Sequence, residues 1–192
     1  MRICDDRYSR ERARLELALR FLRHEARTQT IRAWTGLSDD RIRKLYRSYM
    51  SDCVRDLPRH RGKSPHQIAY FSRSLRLQEE TALLASMLTL LGVVQAVPPA
   101  NALGAPAPAD NMLLPGLTRG ERLCQAFEAF RSLVPAAQIS FEHAVFLATA
   151  LTRGDQLRLD GCADCGGLVV TESVLLRAAR CPRCHGPRAA RR

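Results

Sequence analysis

Aromatic side chains are scarce in this chain: six Phe, four Tyr and one Trp make up 6% of 192 residues. A core with so few rings must be filled mostly by Leu, Ala and Val. No apolar run reaches the roughly 18 residues that a membrane-spanning helix needs. The longest candidate, residues 83–97, is interrupted by Ser86, Thr89 and Gln95. Residues 1–6 lack the apolar stretch of a secretion signal, so a cytoplasmic location is expected. The seven cysteines are then expected to be metal ligands or free thiols rather than disulfides. A phosphate-binding Gly loop, an HExxH pair and a GxSxG elbow are all missing. The five histidines have no partner at a catalytic spacing, and no enzyme is expected. Acid is outnumbered as well: 19 Asp and Glu against 30 Lys and Arg leave a net charge of +11. Such a surplus suits a polyanion or an acidic protein partner.

The pattern that is present is mainly helical. Leu15, Leu19, Leu22 and Ala26 recur at helical spacing and predict a helix over 9–27, with Ser9 as its cap. A short helix is expected over 28–35, a break at Gly36, and a third helix over 39–49 that opens behind Ser38 and shows Ile42, Leu45 and Tyr49 on one face. Residues 57–65 read as a Pro-rich basic loop. A long helical stretch follows over 66–97, with Leu83, Met87, Leu90, Leu91 and Val94 as its apolar stripe. Residues 98–117 read as a Pro/Ala linker. Thr118 and Glu121 form a capping-box pair before a helix with Leu123, Phe127, Phe130, Leu133 and Val134 inward. Ser140 caps a last helix that Gly154 ends. The expected organisation is therefore a helical domain over 1–97, the linker, a helical pair over 118–153, and a small module over 154–192.

That module carries the strongest chemical signal. Cys162-x-x-Cys165 and Cys181-x-x-Cys184 are separated by fifteen residues, the spacing of a tetrahedral four-cysteine zinc site. Two CxxC turns bring four thiolates onto one ion and leave no position open for water, so one structural Zn2+ per chain is expected. A single redox iron is the alternative that the same spacing allows. Residues 168–170 and 174–176 are expected to form a hairpin between the two knuckles, with Thr171, Glu172 and Ser173 as its turn. A module this small cannot build much core, and the metal would supply most of its local stability. Cys4, Cys53 and Cys124 have no partner in sequence and read as buried or free thiols.

The second signal lies at residues 28–49, where Gly36 separates two short helical patterns. Leu37, Ile42 and Leu45 fall where a helix-turn-helix locks its second helix across its first. Arg41, Arg43, Lys44 and Arg47 are then available to phosphates or guanine edges. The module adds Arg177, Arg180 and Arg183 as further DNA contacts, with Arg188, Arg191 and Arg192 beyond them. Asp39 and Asp40 at the helix start would repel phosphate but suit the helix dipole.

TGLSDDRIRKLYRSY at 35–49, CADCGG at 162–167 and CPRC at 181–184 together resemble the FlhC family of flagellar transcriptional regulators, from about residue 10 to 188. The resemblance implies a DNA-binding activator subunit that works with a small helical FlhD partner, four FlhD with two FlhC. It also implies recruitment of RNA polymerase to flagellar promoters, and zinc on Cys162, Cys165, Cys181 and Cys184. The reading from a different class is a protein-interaction adaptor in which zinc only staples the fold and the basic surface meets an acidic partner.

Overall fold

The computed structural model describes residues 3–52, 62–95, 116–174 and 178–185. In chain order these form α1 (Ile3–Arg23), α2 (Thr28–Thr35), α3 (Asp39–Asp52), α4 (Leu75–Leu90), α5 (Gly116–Leu133), α6 (Phe141–Arg153), β1 (Leu157–Gly161), β2 (Leu168–Glu172) and the single helical turn α7 (Pro182–His185). A 3-10 turn over Ile68–Tyr70 precedes α4. The architecture is mainly α with a two-stranded sheet near the C-terminal end, as the sequence predicts.

Several helix ends follow from glycine. Gly36 takes a left-handed φ of 69° and donates its N–H to Arg32 O at 2.9 Å, which stops α2. Gly154, at φ 68°, closes α6 in the same way on Ala150 O. The expected helical stretch over 66–97, open to one helix or two, holds a 3-10 turn and the single α-helix α4, bounded at both ends. Ser74 caps α4 by accepting from Leu77 N, and Gly92 at φ 70° lets Val93 N–H reach back to Leu88 O at 2.8 Å. α1 begins before Ser9, which is therefore an interior residue, and it ends at Arg23 rather than 27. Its stop is Glu25 at φ 60°, with Ala26 N–H bonded to Phe21 O. α5 opens at Gly116, inside the segment expected to be linker, so Thr118 lies within the helix and does not cap it. The rest of the expected linker, 98–115, lies outside the described residues, as do 57–61 of the basic loop.

One core joins these elements. Phe141 of α6 sits edge-on to Phe21 of α1 at 5.0 Å and to Phe127 of α5 at 5.2 Å. Leu17, Ala18, Phe21 and Leu22 are the buried face of α1; of the expected stripe, Leu22 and Ala26 are buried and Leu15 is half-buried against the core. On α4, Leu77, Leu84, Ala85 and Leu88 are buried; of the expected stripe, Val94 is buried, Leu83, Met87 and Leu91 are half-buried against the core, and Leu90 is 76% exposed. Leu133, expected inside, is also exposed. α5 crosses α1 closely at Gly120, where a Cβ would fall 2.7 Å from Leu17 Cδ2.

The small sheet differs from the expected hairpin. β2 pairs antiparallel with β1, which precedes the first knuckle, in the register Leu157 to Glu172, Leu159 to Val170 and Gly161 to Leu168. Thr171 and Glu172 thus belong to a strand and are not a turn, and residues 175–176 lie outside the described residues. The reason is in β1: Leu157 and Leu159 alternate inward and are buried in the common core, which fixes that strand against the helices.

Candidate metal centre

The loop from Cys162 to Gly167 joins the two strands and is held by its own backbone. Cys162 N–H donates to Gly167 O and Gly166 N–H to Cys162 O, each at 2.8 Å. Gly166 has φ 71°, a conformation that glycine adopts without strain. The second knuckle docks onto the first through Ala163 N–H to Ala179 O at 2.9 Å and Cys181 N–H to Cys162 Sγ at 3.2 Å. Its own turn is closed by Cys184 N–H to Cys181 O at 3.1 Å.

These bonds bring Cys162, Cys165, Cys181 and Cys184 together, with all four Sγ atoms within 4.8 Å of one another. Cys165 Sγ lies 3.7 Å from Cys181 Sγ. Sulfurs at about 2.3 Å from a tetrahedral ion sit about 3.8 Å apart, so the donor set fits one thiophilic ion. Cys162 is 3% exposed at the floor of the cluster, and Cys165 is exposed at its rim. The backbone N–H of Cys181 is the main cause holding the Cys162 thiol down to about 6. The Cys184 thiol is pushed well above its ordinary value, first by the Cys181 side chain and then by the other thiols around it. Four crowded thiols resist sharing negative charge, and a bound cation is what relieves that repulsion. Cys124 stands apart, buried in α5, with its thiol pushed up to about 12 by that burial; it is a core residue. Cys53 lies outside the described residues.

The cations proposed from sequence for DNA are differently placed. Arg41, Arg43, Lys44 and Arg47 are all exposed on α3. Arg41 is ion-paired with Glu11 of α1, and Arg43 with Asp40 at 3.1 Å. The side chains of Lys44 and Arg47 make no ion pair or hydrogen bond with another described residue. In the module, Arg180 lies 3.6 Å from Asp164 and Arg183 lies 3.5 Å from Glu79 of α4, which seats the second knuckle on the helical body. Arg177, Arg188, Arg191 and Arg192 lie outside the described residues. Ile42 and Leu37 are buried and Leu45 is half-buried, so the turn between α2 and α3 is packed on its apolar side.

Two residues escaped the sequence pattern. Glu80 and Glu142 are buried carboxylates, 4% and 6% exposed. Glu80 accepts from Arg76 at 2.9 Å and from Gln138 N–H at 2.8 Å. Glu142 accepts from Arg27 N–H at 2.8 Å and from the Thr30 hydroxyl at 3.0 Å. Their partners on other elements are 58 and 115 residues away for the backbone bonds, a separation that no local motif announces. No protein-family model matches the chain, and a search of curated proteins finds no match.

Proposed function

We propose that this chain is a DNA-binding transcriptional activator subunit, stapled by one structural zinc ion, which acts with an FlhD-like helical partner and RNA polymerase at flagellar operons. The observation that carries the reading is the closed set of four thiols seated against a helical body, in a chain with a net charge of +11. A donor set made entirely of cysteine leaves no open position for water, which favours a structural over a catalytic ion. Thiolate softness and tetrahedral spacing favour zinc. α2, the Gly36 turn and α3 supply a helix-turn-helix reading, with Lys44 and Arg47 as its unengaged cations.

A second reading has its own observation. Four of the six described candidate cations, Arg41, Arg43, Arg180 and Arg183, are paired to acids of this same chain. That suits a zinc-stapled adaptor that meets a protein partner.

The two separate in one experiment. The chain, alone and co-expressed with an FlhD-like subunit, is titrated against a labelled flagellar promoter fragment and against unrelated DNA at two salt concentrations. The activator binds the promoter preferentially, with an affinity that falls steeply with salt. Equal binding to both DNAs, or none with the partner present, leaves the adaptor.

A further inference from the structure

We infer that Glu142 is the positioning residue that sets α2, and with it α3, against the half of the molecule carrying the thiol cluster. The inference deepens the DNA-binding reading and, for its functional arm, rests on it.

α2 is an eight-residue helix with no cap of its own. Its N-cap residue is Arg27, whose side chain makes no capping bond, and its first turn contains no acid. A helix so placed leaves N–H groups unsatisfied and a partial positive charge exposed. Glu142 provides what is missing from another element. One carboxylate oxygen takes the Arg27 N–H and the other takes the Thr30 hydroxyl. Glu142 also stands in the first turn of α6, behind the Ser140 cap, so the positive ends of two helices converge on one buried anion.

The consequence is mechanical. α6 continues through Gly154 into β1, the strand that leads directly to Cys162. α2 continues through the Gly36 turn into α3, which carries Lys44 and Arg47. Glu142 therefore joins the first helix of the proposed DNA-reading pair to the element that anchors the metal loop. Neighbouring bonds add support: the Arg27 guanidinium donates to the carbonyl oxygens of Gly62 and Lys63.

Glu80 is the natural control. It is buried to a similar degree and is also bonded to a backbone N–H, but its partner is Gln138, before α6, and not α2. A merely structural role for buried carboxylates makes the two equivalent. A positioning role does not.

The reporter is Trp34, the single tryptophan of the chain, on α2. It sits 6.0 Å from the Phe21 ring and beneath Arg119 at 5.4 Å. Full-length Glu142→Ala, Thr30→Val and Glu80→Ala are compared with the parent by Trp34 emission and acrylamide quenching, by amide exchange over α2 and α3, by zinc content and by promoter binding. Glu142→Ala is expected to raise quenching of Trp34 and exchange over α2, keep one zinc per chain, and weaken promoter binding about tenfold. Glu142→Gln, which can still accept the Arg27 N–H, recovers most of that loss. Thr30→Val shows the same changes more weakly and serves if Glu142→Ala does not fold. Unchanged Trp34 quenching and α2 exchange in both Glu142→Ala and Thr30→Val overturn the inference. So does an equal response in Glu80→Ala. If the parent itself binds no promoter, the DNA reading fails, and the fluorescence and exchange arms still decide the role of Glu142.

Discussion

Arg20 of α1 grips Glu128 of α5 with both ends of its guanidinium fork, Nε to Oε1 at 2.9 Å and Nη2 to Oε2 at 2.5 Å. His24, one turn on, places Nε2 2.9 Å from the same Oε1 and stacks on Phe141 at 4.9 Å. A bidentate pair of this kind combines charge with fixed geometry and ties the first helix to the fifth. Its environment also makes the fold sensitive to acid.

The sign of that sensitivity follows from three downward shifts. Arg20 bonding is the main cause holding the Glu128 carboxyl below its ordinary 4.5. Burial lowers His24 below 6.5 against the pull of Glu128, and burial lowers His143 as well. In each case the unfolded chain binds the proton more readily, so stability rises with pH across the interval between the folded and unfolded values. The histidine contribution is fully present above 6.5 and is lost as the pH falls below it; the Glu128 contribution goes below 4.5. Thermal midpoints measured from pH 8 to pH 4 are expected to fall on acidification, and His24→Phe with His143→Phe should flatten the upper part of that fall. An unaltered profile in the double variant removes the histidines as its cause.

Metal removal is expected to reach beyond the cysteine loops. β1 carries Leu157 and Leu159 into the common core, and Arg183 of the second knuckle pairs with Glu79 of α4. Structural zinc binds with roughly 10–16 kcal/mol of apparent free energy, which becomes folding free energy where no site exists in the unfolded chain. Under the zinc reading, Cys162→Ser, which removes the buried thiol that accepts the Cys181 N–H, should lose the ion and lower the thermal midpoint of the whole chain by at least about 20 °C. Elemental analysis and calorimetry check both. One zinc per chain in the variant, or a midpoint that does not move, contradicts the expectation.

How far the sequence reveals this structure depends on whether the signal is local. Gly36 and Gly154 end their helices as expected because a left-handed residue without a Cβ is a local device. Glu25 does the same work for α1, and no propensity rule points to a glutamate at φ 60°. The four cysteines declare themselves through two CxxC turns, whereas β1 does not, because its pairing depends on Leu157 and Leu159 finding the helical core. The stripe on α4 is only partly legible because residues 81–90 are mostly apolar on every side, so Leu90 and Leu88 look alike until the neighbours are in place. Glu80 and Glu142 carry no local signal, because their partners on other elements are distant in sequence.

On α3 the expected DNA contacts separate by partner. Arg41 and Arg43 are engaged by Glu11 and Asp40, and Lys44 and Arg47 are exposed without a described partner. Under the DNA-binding reading, Lys44→Ala and Arg47→Ala should each weaken promoter binding and reduce the salt slope by about one, with little change in thermal midpoint. Arg43→Ala should weaken binding less, because release from Asp40 offsets part of any contact. The salt dependence of binding by the three single variants tests the ranking. Equal slopes in all three and the parent place the contacts off α3.

Phe141 is the residue whose loss the core should feel most. It is 2% exposed, and its ring meets Phe21, Phe127 and His24 from three sides, joining α1, α5 and α6. The rings and helices that surround it are themselves packed in the core and relax only partly around a cavity. Phe141→Ala should cost about 3–5 kcal/mol, read as a lower denaturant midpoint at unchanged slope. Phe141→Leu keeps much of the volume and should cost less. It also removes the stacking surface under His24, so ring contact and bulk can be told apart by comparing the pH dependence of the two variants. Costs near zero for both would show that the three helices close without this ring.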